Sequence, residues 1–405
     1  MRDERSLYPD EQPSSGSRWF CLVTNLFLLG FLLHGILAFT AFLTALPLPF
    51  RTINLLRDLS FLGTAGLMII LILLIGSYRQ FPWGALVPSF VTVVWIGSYY
   101  MPLPGILEWK NTEFVGSIIT IIVSIWTFMR VRQFHGNWFI PEPAFTRVKF
   151  SLARTFRSIL VKLFILVPAY IVFVSVSCFW MLEWRGHGFI HIRAEGLTTE
   201  TRVYKSGDKS VYLLPTVHIA AGAFYNKLLS DVPKQRAVVL PEGVTDKKKL
   251  LESGLSYKGA AQSTGLAEQP DFRKLLPSDG RHYDSDVSDF SPDTLATLQV
   301  VSTALRQLES SSLSQTILTL GTLPQPNLEL LKRDILDARN ARISFGIMES
   351  LSAFDNILVP WGALHMPGIE TELLKSSFKQ ASSKEVLVFA WRDILTALLT
   401  NRAAR

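Results

Sequence analysis

Cysteine is almost missing from this sequence. Its two residues, Cys21 and Cys178, both lie in apolar stretches, which excludes a disulfide framework and a cysteine metal site. Also absent are a G-x-S-x-G nucleophile elbow, an H-E-x-x-H helix, a phosphate-binding loop and a dinucleotide fingerprint. Serine-hydrolase, zincin and nucleotide-dependent chemistries lose their usual signatures with them. There are no internal repeats. The formal net charge of +7 comes mostly from the N-terminal half and one of its loops. After Leu182 acids and bases nearly balance, so no basic face points to nucleic acid.

Acids are missing, too, from five long stretches. Residues 19–46, 59–78, 84–101, 114–129 and 159–182 contain no Asp, Glu or Arg, and their one lysine, Lys162, lies near an end. About 20 such residues cross a bilayer core, so the pattern predicts about five transmembrane helices, the third and fourth the shortest. The first is too long for the apolar core of a cleavable signal peptide, and no small-x-small site closes it. Polar residues inside the spans are few, chiefly Asn25 and His34, which suits an anchor better than a pump or transporter. The mean hydropathy of +0.28 over 405 residues fits a chain only partly in lipid. Past Leu182, charged, glycine and serine residues alternate with short apolar runs, as in a globular domain of roughly 220 residues, enough for one core. The expected organisation is a tail over 1–18, an α-helical transmembrane bundle over 19–182, and a C-terminal domain over 183–405.

The basic loop over 130–158 holds Arg130, Arg132, Arg147, Lys149, Arg154 and Arg157. The positive-inside rule places it in the cytoplasm, where it also meets anionic headgroups. An odd number of spans then puts the N-terminus inside and the C-terminal domain outside, periplasmic in a Gram-negative inner membrane. Arg51 and Arg57 of the first loop would face outward under that arrangement.

Within the C-terminal domain, β-rich runs are expected at Ser210–Val217, Ala237–Leu240, Ile357–Val359 and 385–391. Helices are expected from about Ala220, from Asp246–Lys249 onward through "YKGAAQSTGLAEQPDF", and at 293–309 and 327–351. Ser291-Pro292 reads as an N-cap followed by proline at the first helical position. Strands alternating with helices predict an α/β or α+β fold, a central mixed sheet flanked by helices. Three strands end alike: "LLPTVH" delivers His218, "VVLPE" Glu242 and "ILVPWGALH" His365. Ligands of open α/β sheets bind beyond the carboxyl ends of strands. Two histidines and a carboxylate at such an edge could hold a metal or activate a water directly, if the strands are neighbours. Each histidine alone could as well be a solvated turn residue.

Leu328, Leu331, Ile335, Arg339 and Arg342 recur at spacings of three or four and should share one helical stripe. An arginine on an apolar stripe meets a substrate anion, an oxyanion or a structural carboxylate such as Glu242 or a loop aspartate. The loop "DSDVSDFSPDTL" begins like a calcium loop with Asp284 and Asp286. Asp289 at its sixth position and Leu295 at its twelfth exclude an EF-hand, leaving a capping loop or a reach toward the site.

Four segments, "VYLLPTVHIAAGAFYNKLL", "AVVLPEGV", "ARNARISFGIMESL" and "VPWGALHMPGIETELL", agree in order and spacing with one family. Over about residues 203–392 the chain resembles the TraB/GumN/Tiki superfamily, marked by two G-x-x-H motifs, an acid after the second strand and an arginine on a late helix. The resemblance implies that His218 and His365 are the motif histidines, Glu242 the acid and Arg339 the helix arginine. It further implies a membrane-anchored, metal-dependent hydrolase acting on peptides or small molecules. A divalent Mn, Co or Zn would be held by His218, His365 and Glu242, with Glu242 and Arg339 acting in catalysis and Asp284, Asp286 and Arg342 as secondary candidates. One departure is Pro215, where the family has glycine; proline stiffens the backbone and lacks an N–H. The alternative is a non-catalytic ligand-binding or sensing membrane protein on the same fold, with no metal. Neither reading specifies an oligomeric state.

Overall fold

The computed structural model describes residues 15–43, 50–74, 83–107, 109–142, 145, 152–251, 257–309, 319 and 327–403. Most of the expected tail, and Arg147 and Lys149 of the basic loop, lie outside these. The chain divides into two compact units, Met1–Met181 and Leu182–Arg405.

The first unit contains α1 (Ser15–Leu43), α2 (Phe50–Leu74), α3 (Trp83–Gly97), α4 (Leu103–Ile106), α5 (Trp109–His135) and all but the last turn of α6 (Leu152–Arg185). Four of them, α1, α2, α5 and α6, are long and apolar enough to cross a membrane. The third expected span is an apolar helix shorter than these four. Its 15 residues in α3 rise about 22 Å against a hydrocarbon core of about 30 Å. The helix stops because Tyr99 and Tyr100 take left-handed backbone angles, φ 54° and 58°, ahead of Met101-Pro102. Tyr100 then lies against α5, where a Cβ on Gly116 would meet its ring at 2.3 Å. Only glycine permits that approach.

Asn25 is a clamp. Its amide donates to the Ile140 carbonyl and its oxygen accepts from the Ile140 N–H, both at 3.0 Å. With Arg18 3.5 Å from Glu142, this sets the start of α1 beside the segment that follows α5. At the other end of the bundle Arg57 meets Asp58 at 3.0 Å and Glu113 at 3.6 Å. Helix α6 turns apolar side chains outward all round, as a lipid-facing span does, with Phe164 77% exposed.

The second unit is built on a six-stranded mixed sheet of β1 (Ile190–Ile192), β2 (Gly196–Ser206), β3 (Lys209–Thr216), β5 (Ala237–Val239), β7 (Asn356–Gly362) and β8 (Lys379–Ala390). A two-stranded ribbon joins β4 (Ile219–Ala220) to β6 (Ala267–Glu268). Strand β2 pairs antiparallel with β1, β3 and β8. Strands β3, β7 and β5 are parallel neighbours with β7 central, and their cores are buried on both faces. That explains their unbroken apolar runs. The helices are α7 (Gly222–Leu228), α8 (Lys258–Thr264), α9 (Pro292–Glu309), α11 (Met366–Lys375) and α12 (Trp391–Ala403). A longer helix, α10, runs Leu328–Lys332, passes through a π turn at Arg333–Asp337 and continues as Ala338–Ser350.

Two expectations need correction. Residues Asp246–Leu251 are not helical: the Asp246 carboxylate accepts from the Leu250 and Leu251 N–H groups, and Lys249 has a φ of 54°. This aspartate folds a local turn that competes with helix. The helical stripe also does not carry Arg342. Beyond the π turn the buried face runs Arg339, Ile343, Gly346, Ile347 and Ser350, and Arg342 projects to the surface. Strands β1 and β2 escaped the sequence reading because "GLTTETRVYKS" has few apolar residues.

Candidate functional site

Parallel pairing of β3, β7 and β5 brings three strand ends to one edge. Strand β3 leads to His218, β5 to Glu242, and β7 through Gly362 to His365, which immediately precedes α11. Gly362 is favoured by a close contact rather than by its own dihedral angles. Its N–H donates to Glu242 Oε2 at 2.6 Å, and a Cβ there would stand 3.1 Å from that oxygen.

Arg339 is the centre of the cluster and is buried. Its Nε donates to Asp284 Oδ1 at 2.7 Å, and Nη2 to Asp284 Oδ2 and Glu242 Oε1, each at 2.7 Å. Nη1 donates to His365 Nε2 at 3.2 Å and to the Ile335 carbonyl at 3.4 Å. All five N–H donors of the guanidinium are thereby engaged. The Trp361 ring lies 5.2 Å from its Cζ, edge-on to His365 with ring centroids 5.1 Å apart. Because Arg339 can only donate, His365 Nε2 must accept, so the proton of the neutral ring sits on Nδ1 and donates to Asn340 Oδ1 at 2.7 Å.

These contacts set the protonation states. Burial pushes His365 down to about 4, against the opposing charge of Glu242. Burial disfavours the ionised form of Glu242, but the Arg339 guanidinium above all outweighs it and lowers its pKa. Asp284 is likewise lowered: burial opposes, and the Arg339 hydrogen bonds win. The cluster at neutral pH is two carboxylates, one guanidinium and one neutral imidazole.

His218 stands apart from this network. It is exposed at the rim, its ring stacked on Tyr257 with centroids 4.3 Å apart and planes 8° from parallel. Among the described residues no protein group hydrogen-bonds to its ring nitrogens. Partial burial lowers its pKa from 6.5, with the Glu242 carboxylate acting in the opposite sense.

The secondary candidates separate cleanly. Asp284 belongs to the cluster. Asp286 does not: it caps a short 3₁₀ turn, accepting from Ser288 N at 3.0 Å and from Thr245 Oγ1 at 2.7 Å. Arg342 pairs with Asp289 at 2.8 Å on the surface. Sequence reading missed Asn340 and Tyr257. The first adjoins Arg339 in "ARNAR" and could have been flagged as its neighbour; nothing in the sequence marks Tyr257 as a platform.

The donor set does not suit a divalent cation as arranged. Glu242 commits one oxygen to Arg339 and the other to Gly362, and the free lone pair of His365 faces a guanidinium N–H. A positive charge already fills the space among Glu242, Asp284 and His365. Among the described residues no three His, Cys, Asp or Glu side chains converge as metal ligands. No family model, curated protein or solved structure matches the chain.

Proposed function

We propose that residues 183–405 form a hydrolytic domain of TraB/GumN/Tiki type, held at a bacterial inner membrane by the N-terminal helices and attacking a peptide or ester carbonyl. The observation that carries this reading is His218, an exposed imidazole whose ring nitrogens have no hydrogen-bond partner among the described residues and which feels the charge of the ionised Glu242. A general base needs a pKa near the working pH and access to water. Glu242 is held ionised and too acidic for that task, and His365 is buried. His218 takes a proton from water as the water oxygen attacks the carbonyl carbon, and the Glu242 charge favours the imidazolium so formed. The same proton then passes to the departing amine or alcohol as its bond to carbon breaks. Arg339 is a positioning residue, keeping Glu242 ionised and aimed.

A resident metal would have to displace Arg339 from Glu242 and His365, so no step is routed through one. The full-length protein in detergent, tested on fluorogenic peptide and ester panels, should turn over a substrate in the presence of chelator. His218→Ala should lower that rate about 10²–10⁴-fold, the usual worth of a general base. Undiminished turnover in His218→Ala would defeat the assignment. A specific observation favours a second reading: the saturated Arg339 network is as complete as a purely structural one. Absence of turnover on every panel, with intact folding, would leave the domain as a binding or sensing module.

For orientation, the basic 130–158 segment supports a cytoplasmic position, with the C-terminal domain periplasmic. The start of α1 lies at that same end of the bundle. Arg57, at the opposite end, pairs with Asp58 and Glu113.

A further inference from the structure

A groove of about 640 Å³ between α10 and α11 and the rim around His218 both adjoin the site already described. The membrane unit carries a separate feature. Near the C-terminal end of α5, a groove of about 940 Å³ is lined by Leu32, Ile125, Phe128, Met129, Arg132 and Trp138, with Gln133 and Phe139 completing it. Its floor is apolar, and its polar groups gather at the end where α5 finishes. Arg132 lies in the last turn of a helix long enough to span the bilayer, so that end stands at headgroup depth.

The arginines here are held by rings, not by acids. Arg132 stacks over Trp138 at 4.6 Å, and Arg130 lies 5.4 Å from both Trp126 and Phe134. Arg130 also donates to Gln133 at 3.4 Å. Among the described residues neither arginine pairs with a carboxylate, and Glu142, the nearby acid, pairs with Arg18. Cation–π contact orients a guanidinium while leaving its in-plane N–H donors free. A planar cation above an apolar trough, at membrane-interface depth and with no carboxylate partner among the described residues, is complementary to one kind of molecule.

We infer that this groove binds an anionic phospholipid, its phosphate on Arg132 and an acyl chain along Leu32, Ile125, Phe128 and Met129. The indole of Trp138 is a positioning group that holds the guanidinium at the mouth.

The test uses the full-length protein, reconstituted in nanodiscs of equal phosphatidylglycerol and phosphatidylcholine, with retained lipid counted by native mass spectrometry. Wild type should retain phosphatidylglycerol over phosphatidylcholine by about fivefold, the factor set by one interfacial cation. Arg132→Gln should abolish that preference, and Trp138→Leu should weaken it with the charge intact. Arg18→Gln removes a charge at the same end of the bundle but outside the groove, and should leave the preference in place. Equal retention of both lipids by wild type overturns the site, as does an unchanged preference in Arg132→Gln. If Arg18→Gln loses as much as Arg132→Gln, the attraction belongs to the basic end as a whole and not to this groove.

Discussion

Arg339 decides what kind of site this is. Removing it leaves Glu242 and Asp284 buried without their cation, and breaking a buried pair costs about 3–5 kcal/mol. Arg339→Ala should therefore lower the melting temperature of the C-terminal domain, at roughly 2–4 °C per kcal/mol for this size. The same variant empties the space among Glu242, Asp284 and His365. Zinc or manganese should raise the melting temperature of Arg339→Ala and leave wild type unmoved; a response of wild type instead would show that the guanidinium gives way to metal. His365 supplies a pH signature. Its folded pKa of about 4 lies below the ordinary value of 6.5, so between these pH values the unfolded chain takes up a proton that the folded one refuses. Stability should fall by up to about 3 kcal/mol as pH drops through that window and be flat above it. His365→Asn, which keeps a donor toward Asn340, should remove that slope in pH-dependent denaturation. Below pH 4 both proteins should share the loss from protonating Asp284 and Glu242, whose pKa values are depressed.

The strands and helices turn these residues toward each other through two local devices. Strand β7 contains Pro360, which has no N–H for the neighbouring strand. Leu240 N donates to the Leu358 carbonyl and Glu242 N to the Pro360 carbonyl, so the Leu240 carbonyl would ordinarily receive the N–H of residue 360. The Trp361 indole N–H supplies that bond instead, at 2.9 Å. Trp361→Phe should cost about 1–3 kcal/mol by orphaning a buried carbonyl. Pro360→Ala should recover part of that loss in the double variant, measured as a coupling in a denaturant cycle. The second device is the π turn in α10. Its extra residue lets Asp334 accept from Ser291 N and Thr294 Oγ1 while Arg339, one turn on, still faces the cluster. Deleting Leu336 should preserve helical circular dichroism but lower the melting temperature about as much as Arg339→Ala, because both sets of bonds cannot then form. Strand ends were legible in the sequence because buried parallel strands are continuous apolar runs. The π turn was not: an extra residue leaves no mark in a pattern of spacings three and four, which is why Arg342 read as a stripe residue and Asn340 as none.

Across the whole molecule the topology rests on the charges that flank the spans. A reporter fused after Arg405 should be active on the side opposite the 130–158 segment, and activity in the cytoplasm would reverse the orientation. The bundle also tolerates little at its tightest approach. Gly116→Leu should destabilise the membrane unit, since the Tyr100 ring occupies the space a side chain would need; tryptophan fluorescence during detergent unfolding would report it. The apolar stretches announced directly four helices long and apolar enough to cross a membrane, because hydropathy and length are properties of sequence alone. The third is present but shorter, its 15 residues in α3 ending at the left-handed turn of Tyr99-Tyr100, which packs against α5.

Sequence alone determined that the chain has an apolar helical half and an α/β half, and that His218, Glu242 and His365 each follow a strand. Local composition is sufficient for that, because strand periodicity and span length do not depend on distant residues. Tertiary structure decided which of them meet. The order β3-β7-β5, unreadable from a linear pattern, makes the three ends neighbours. Long-range pairing with Asp284, 55 positions from Arg339, then makes the guanidinium the hub of a closed network and leaves His218 outside it, stacked on Tyr257.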